Sequence, residues 1–356
     1  MSILSDTRRY EAWLRKQCKL VEADLAYKHQ RMRKNAFVFL RATYYRWARK
    51  IEEWCPELTS APSVLAIGDL HTENYGTWRD GEGRLVWGIN DFDEAAVMPY
   101  TLDLVRLTAS AVLAPGRRLD PNEICRAIQS GYREGLTTPG PILLEEKKEV
   151  WMRPFVNCTD ADCIRFWGEV KGYPDAKPPR KVMAGLTRSL PIEAETVRFC
   201  TRVKGGGSLG RSRYVAVARW SGGHALREAK ALVASAWDWA HERAPDRSVF
   251  LELARGRFRS ADPFLDVDGG FIYRRIAADS RKVELGPKAG ARLNRDLLRA
   301  MGRDLGAVHA AHAKRAKEIT RDLKKRRAGW LTQATEKAAA AIKKDYAEWR
   351  AQKKFE

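Results

Sequence analysis

Residues 61–95 read APSVLAIGDLHTENYGTWRDGEGRLVWGINDFDEA, and this stretch decides the fold class. A short apolar run at 64–67 leads into a polar turn. A second apolar run, 85–89, follows Arg79-Asp80-Gly81-Glu82-Gly83, which is a hairpin signal. The carboxylates and amides Asp69, Asn74, Asp91, Asp93 and Glu94 sit at the ends of these apolar runs, and Asp103 follows shortly after. Apolar flanks bury the backbone beside such acids, so the set is a candidate divalent-metal site. Asp69 and Asn74 are five residues apart and Asp91 opens the turn after a strand. Two oxygen ligands and a separate carboxylate base suit magnesium-assisted phosphoryl transfer, because Mg²⁺ takes few protein oxygens and leaves its other positions to phosphate and water.

Working outward, Val21–Trp54 contains no Pro or Gly and predicts one or two helices. Leu102, Val105, Leu107 and Val112 share one side of a helix, with helical pattern continuing to about Leu136. Between Thr137 and Arg180, Pro, Gly and Lys predict a loop-rich insertion, the expected location of part of an acceptor pocket. From Ala194, alternating residues with Gly-Gly turns predict three antiparallel strands, then a helix over Ala229–Glu242. Short strands are expected at Phe250–Leu253 and Phe271–Ile276, the latter running on into Arg281–Leu285. From Ala291, Leu293, Leu297, Met301, Leu305, Val308 and His312 share a helical face.

The chain has 356 residues, 65 Lys plus Arg against 45 Asp plus Glu, and a net charge of +20. Twelve Trp and a 44% hydrophobic fraction exclude wholesale disorder. No run reaches the ~20 apolar residues of a membrane span, and MSILSDTRRYEAW lacks the apolar core of a secretory signal, so no membrane partner and a cytoplasmic location are expected. Six dispersed cysteines form no C-x-x-C pair. Residues 314–356 hold 14 Lys or Arg and 6 Asp or Glu, a basic tail able to meet a nucleic acid through its phosphates.

The order Gly68-Asp-Leu-His-Thr-Glu-Asn74, strand, Ile89-Asn-Asp-Phe92 resembles the catalytic loop and metal-binding turn of protein-kinase-like phosphotransferases, in particular the aminoglycoside and choline kinase branch. That resemblance implies that Asp69 orients an acceptor hydroxyl, that Asn74 and Asp91 hold magnesium, with Asp93 close enough to join them, and that Asp103 braces the loop. His71 is expected to bond within the loop.

Gly205-Gly206-Gly207-Ser208-Leu209-Gly210 satisfies G-x-G-x-x-G. The flanking RSRYVAVARW alternates like a strand, so a strand–turn–strand cover over phosphates is the better reading than a dinucleotide fingerprint, which needs a helix after the last glycine. Gly205, Gly207, Ser208 and Gly210 are the phosphate-covering candidates. Arg227 and Lys230 on the third strand are the candidate cations, with Glu242 as the cation's expected partner.

In ordinary kinases the glycine hairpin precedes the catalytic loop, whereas here it follows by more than a hundred residues. The late Leu305-Gly-Ala-Val-His309 helix resembles the segment that normally leads into that loop. Either one motif is accidental or the chain is circularly permuted, and this helix favours permutation. The whole pattern, including FVFLRATYYRW, TLDLVRL, LREAK and YRRI, resembles a bacterial family catalogued as domain of unknown function 2252. Arg41-Ala42 stands where that family has Arg-Gly, and Arg227 where it has Lys before Glu-Ala.

The expected architecture is thus α+β: a two-lobed, circularly permuted kinase-like fold. Residues 1–190 would form a mainly helical large lobe, 191–286 a small antiparallel β lobe, and 287–356 a helical return with the basic tail. The first expectation for function is transfer of a phosphoryl group from ATP, with Mg²⁺, to a small-molecule or protein hydroxyl. The alternatives are a non-catalytic binder of a nucleotide or polyanion such as RNA or DNA, and nucleotidyl transfer from ATP.

Overall fold

In the computed structural model, which describes residues 1–244, 248–282 and 293–352, helices and antiparallel sheets combine in a mixed α+β fold. Helices α1 (Ile3–Gln17), α2 (Glu22–Met32), α3 (Ala36–Ala42) and α4 (Tyr44–Trp54) open the chain. The predicted helical stretch after Val21 divides into three because Asn35 caps a new start, its side chain accepting the Val38 N–H at 2.9 Å, and Thr43 breaks the helix again.

Strand β1 (Ser63–Ala66) follows, then the hairpin β2 (Tyr75–Arg79) and β3 (Leu85–Ile89), and β4 (Ala96–Pro99), which pairs with β1. The Asp80 carboxylate closes the hairpin turn by accepting the N–H groups of Glu82 and Arg84. Helix α5 (Tyr100–Leu113) is buried on nearly every side. A helix apolar all round belongs in a core, and its two buried charges, Asp103 and Arg106, are both paired. Helix α6 (Pro121–Thr137) starts on an Asp120–Glu123 capping box. The short strand β5 (Ile142–Leu143) then joins β3.

Beyond it come α7 (Arg153–Val156), α8 (Asp160–Lys171) and α9 (Arg180–Ser189), so the segment expected to be loop-rich, Thr137–Arg180, carries the short α7 and the substantial α8, and α9 starts at its end. Helices α8 and α9 pack on a five-stranded sheet formed by β6 (Glu195–Thr201), β7 (Arg213–Trp220), β8 (Gly223–Ala231), β9 (Asp266–Asp268) and β10 (Phe271–Arg275) in the order β6-β7-β8-β10-β9. Val170 of α8 meets Val215, Val217 and Leu226 on one face, while Val182 and Leu186 of α9 meet Ala216, Ala218 and Ala229 on the other. Both helices therefore go with the sheet, although the sequence reading grouped them with residues 1–190.

Two local expectations are corrected. The helix expected over Ala229–Glu242 shrinks to α10 (Ala236–Ala240), because β8 runs on to Ala231 in pairing with β10. Phe250–Ala254 is a helical turn, α11, and not a strand; Phe250 and Leu253 face the main core three residues apart. The expected continuation of β10 beyond Lys282, and the boundary at 286–287, lie outside the described residues.

The C-terminal part is helical: α12 (Arg295–His309), α13 (Ala313–Lys325) and α14 (Trp330–Ala351). Leu297, Met301, Leu305 and Val308 are buried as their spacing predicts, but His312 is exposed because the helix ends at His309. The basic tail is anchored: α14 buries Leu331, Ala338, Ile342 and Trp349, and Arg46 bridges Asp345 of α14 (Nε to Oδ2, 2.8 Å) to Asp6 of α1 (2.5 Å). Among the described residues no helix is long and apolar enough to cross a membrane.

Helices α6 and α12 touch backbone to backbone through reciprocal glycines. A Cβ on Gly131 or Gly135 would fall 1.8 or 2.0 Å from the carbonyls of Arg299 and Arg303, and one on Gly302 or Gly306 would fall 2.1 or 2.3 Å from those of Ile128 and Tyr132. Neither backbone can yield as a side chain would. Gly302→Ala is expected to destabilise the protein by about 1–3 kcal/mol, whereas Gly168→Ala, in a helix with open space around it, is expected to stabilise by roughly 0.5 kcal/mol or be neutral. Thermal melts of the two variants check the pair.

Candidate functional site

The loop after β1 is held from below. Gly68 adopts φ +83°, and a Cβ there would lie 2.1 Å from the Glu94 carbonyl, so glycine is required on both counts. Asp103 of α5 accepts the N–H groups of Ile67 (2.7 Å) and Gly68 (3.0 Å), which is the bracing role expected of it. Its Oδ2 also meets His309 Nε2 at 3.2 Å, and His309 Nδ1 lies 2.8 Å from the Tyr132 hydroxyl. His71 bonds within the loop, its Nδ1 accepting the Glu73 N–H at 3.2 Å. Burial, reinforced by Arg41, Arg106 and Lys282, holds the His71 imidazole well below its usual pKa and hence neutral.

Asp69 projects from this loop into a cleft. Its Oδ1 accepts two hydrogen bonds from Arg106, Nε at 3.1 Å and Nη2 at 2.5 Å. The guanidinium is itself fixed over the rings of Tyr44 and Trp47, 4.9 and 5.2 Å from their centroids, and donates to the Leu40 carbonyl. Burial raises the Asp69 carboxyl above its ordinary pKa despite Arg106. Its Oδ2 faces the glycine-rich turn, lying 2.9 Å from where a Gly207 Cβ would be.

Asn74 Nδ2 donates to the backbone carbonyls of Asp69 (3.2 Å) and Asp91 (3.0 Å). This fixes the amide so that Oδ1, buried and without a hydrogen-bond partner, is left as an acceptor. Burial would raise the Asp91 carboxyl, but Lys230 at 3.5 Å and Lys282 at 3.8 Å hold it well below the usual range. Asp93 is tightly paired with Lys230 and lies 3.6 Å from Arg211; burial and the neighbouring Asp91 push its carboxyl up to about 6. Both carboxylates meet cations, but Asp91 is the more open to the cleft (28% exposed against 8% for Asp93) and its lysines are more distant, so Asn74 Oδ1 and Asp91 are the oxygen donors that fit a small hard cation. Among the described residues no three His, Cys, Asp or Glu side chains form a self-contained metal cage. A cation shared with phosphate oxygens does not need one. Glu94 is structural: it accepts from Arg211 and from the Ala236 N–H, both at 2.6 Å.

The turn between β6 and β7 lies over these groups. Lys28 and Arg31 of α2, which also line the cleft, clamp it by donating to the carbonyls of Gly207 (2.8 Å) and Gly205 (2.9 Å). Gly205 and Gly210 take φ of +101° and +96°. Asp69, Asn74, Asp91 and Asp93 share with Gly205, Gly207 and Ser208 one cleft of about 830 Å³. Of the segment expected to shape an acceptor pocket, Asp162, Arg165, Phe166 and Glu169 also line it.

Three expectations are displaced. Gly210 is outside the cleft, packed on Leu25, with its carbonyl accepting the Val21 N–H. Arg227 faces away: it donates to the Ser189 carbonyl of α9 and stacks on Phe264, because alternate residues of a strand point to opposite faces and Lys230 shares its face with Glu228. Glu242 is exposed beyond α10, and the partners of Lys230 are Asp91 and Asp93.

The sequence reading passed over Lys28, Arg31, Arg106 and the arginines around Glu228. Arg106 was findable, since it lies three residues after Asp103 on one helix; Lys28 and Arg31 carry no local signal of their target 174 or more residues away.

The bracing carboxylate gives a direct test. Asp103→Ala leaves two buried N–H groups and the His309 Nε2 without their partner, and is expected to destabilise by about 3–5 kcal/mol in urea unfolding. Glu73→Ala, at the cleft edge, should cost much less.

Residues 20–147 match a family described as an uncharacterized protein conserved in bacteria (DUF2252), a span that includes the 67–74 loop, the 89–95 turn and α5 and stops before the glycine-rich turn. No curated protein and no solved structure matches the chain.

Proposed function

We propose that the protein is a kinase-like phosphotransferase of circularly permuted order, moving the γ-phosphoryl group of ATP to a hydroxyl acceptor with magnesium. The observation that carries this reading is the meeting, in one cleft, of Asp69, the Asn74–Asp91 oxygen pair and the Gly205–Ser208 turn, drawn from segments more than a hundred residues apart, with Lys230 paired to Asp91 from behind the cleft wall. The permuted order is supported by α12, which ends with His309 bonded to the carboxylate that braces residues 67–68. A helix leading into the loop would occupy that place in a chain of ordinary order.

In this reading Asp69 Oδ2 accepts the proton of the acceptor hydroxyl while the new O–P bond forms and the bond to the ADP oxygen breaks. Arg106 keeps Oδ1 occupied, so a single oxygen of the carboxylate is presented to the cleft. Burial makes that carboxylate more basic than a solvated one. Lys230 reaches the Asp91–Asp93 pair from the sheet and holds the two carboxylates in place. Gly207 permits the turn to approach Asp69 because any Cβ there would strike Oδ2. A magnesium ion held by Asn74 Oδ1 and Asp91 would offset the charge of the terminal phosphates.

Calorimetry should show ATP binding that depends on Mg²⁺, weakened about tenfold or more in Asp91→Asn. Asp69→Asn should retain ATP binding and lower turnover by roughly 10²–10⁴-fold. Absence of affinity for ATP, ADP and GTP with either Mg²⁺ or Mn²⁺ would overturn the reading. Transfer of α-label instead of γ-label would convert it to nucleotidyl transfer.

A second reading, a non-catalytic binder of RNA or DNA, draws on the exposed Lys314, Lys317, Arg321, Lys324 and Lys325 of α13. Filter binding at two salt concentrations tests it. Electrostatic binding to phosphates should fall steeply between roughly 50 and 200 mM salt.

A further inference from the structure

We infer that Arg202, Arg213 and Arg274 form a phosphate-binding site in the cleft wall beneath the glycine-rich turn, organised by the buried carboxylate of Glu228. This deepens the proposed nucleotide reading and rests on it only for the identity of the molecule that carries the phosphate. The three arginines come from three places on the five-stranded sheet: Arg202 follows β6, Arg213 opens β7 and Arg274 lies on β10 directly opposite Glu228 of β8. Alternation puts Arg213, Glu228 and Arg274 on the face turned to the cleft, and all three arginines line it.

Glu228 is fully buried and both of its oxygens are used. Oε1 accepts from Arg202 and Arg213, each at 3.0 Å, and Oε2 accepts from Arg274 Nε at 2.7 Å. One negative charge thus faces three positive ones, and arginine cannot shed its proton to relieve the excess. Asp91, Asp93 and Asp262 act on Arg274 and Asp24 acts on Arg213 through longer-range charge, but Asp91 and Asp93 are shared with Lys230, Lys282 and Arg211, and among the described residues Glu228 is the carboxylate in ion-pair contact with all three arginines. The side chains of Arg202 and Arg213 are only 10% and 6% exposed, so bulk water screens them poorly. Arg202 Nε is buried without a hydrogen-bond partner. Arg213 Nη2 stands 3.5 Å from Ser208 Oγ, which puts the turn at the edge of the same cationic pocket. A planar fork with donors to spare matches phosphate oxygens two at a time. A trio serving only to weld strands together would need no more than one matching charge per carboxylate.

The test uses the full chain, with inorganic tripolyphosphate and ATP–Mg²⁺ as probes in calorimetry. Tripolyphosphate, which has neither base nor sugar, should bind and displace ATP, while adenosine should not displace tripolyphosphate. Arg202→Gln and Arg274→Lys, the second keeping the charge but losing the fork, should each weaken both probes by about tenfold or more, with melting temperatures measured alongside. Arg227→Gln, on the opposite face, should leave binding unchanged. Failure of tripolyphosphate to bind the wild-type chain overturns the site whatever the variants do. So does unchanged affinity in correctly folded Arg202→Gln and Arg274→Lys. Arginine-dependent tripolyphosphate binding without any ATP binding supports the phosphate site and removes the nucleotide reading instead.

Discussion

A single buried carboxylate holds the architecture to its cleft. Asp103, with no exposed surface, accepts two backbone N–H groups from the loop that carries Asp69 and meets His309 from a helix 206 residues further along the chain. A charge that deep is tolerable only when its acceptor sites are filled, and here they are filled by the very elements whose relative position sets the cleft floor. The glycine contacts between α6 and α12 serve the same end, since they bring α12 close enough for His309 to reach Tyr132 and Asp103 together.

The strongly basic composition acquires a different meaning once the charges have positions. Many of the surplus cations are spent on pairs that fasten elements to one another, as Arg46 does between α1 and α14 and Arg211, just ahead of β7, does with the 93–94 turn. Others stay on the surface, as along α13, while Arg202, Arg213 and Arg274 gather on the sheet face of the cleft. Opposite them stand a few acids, of which Asp69 and Asp91 remain turned to the cavity. A cavity with positive walls and a small acidic floor is suited to a polyphosphate that brings its own cation.

How much of this was legible depends on the range of the interaction. The hairpin at 75–89, the three strands from 195 to 231 and the buried stripe of α12 follow from periodicity within a few residues, and each is where its pattern puts it. The failures are of two kinds. Phe250–Ala254 is too short and too apolar for its period to be read, so burial against the main core settled it as helix. Arg227 stands beside Lys230 as a candidate cation by resemblance alone, when the two-residue period of β8 already distinguishes its face from that of Glu228 and Lys230.

The sequence by itself determined the chemistry available: a run of oxygen donors between Asp69 and Asp103, a turn of glycines able to approach them, and cations on alternating strands. Local spacing also determined which of these share a helix side or a strand face, because that depends only on backbone geometry. What only the tertiary structure decided is which groups meet. Asp69 beside Gly207, Lys28 on the Gly207 carbonyl and three arginines around Glu228 are contacts between residues distant along the chain. Such contacts arise from packing of whole elements, and nothing in the residues flanking either partner encodes them.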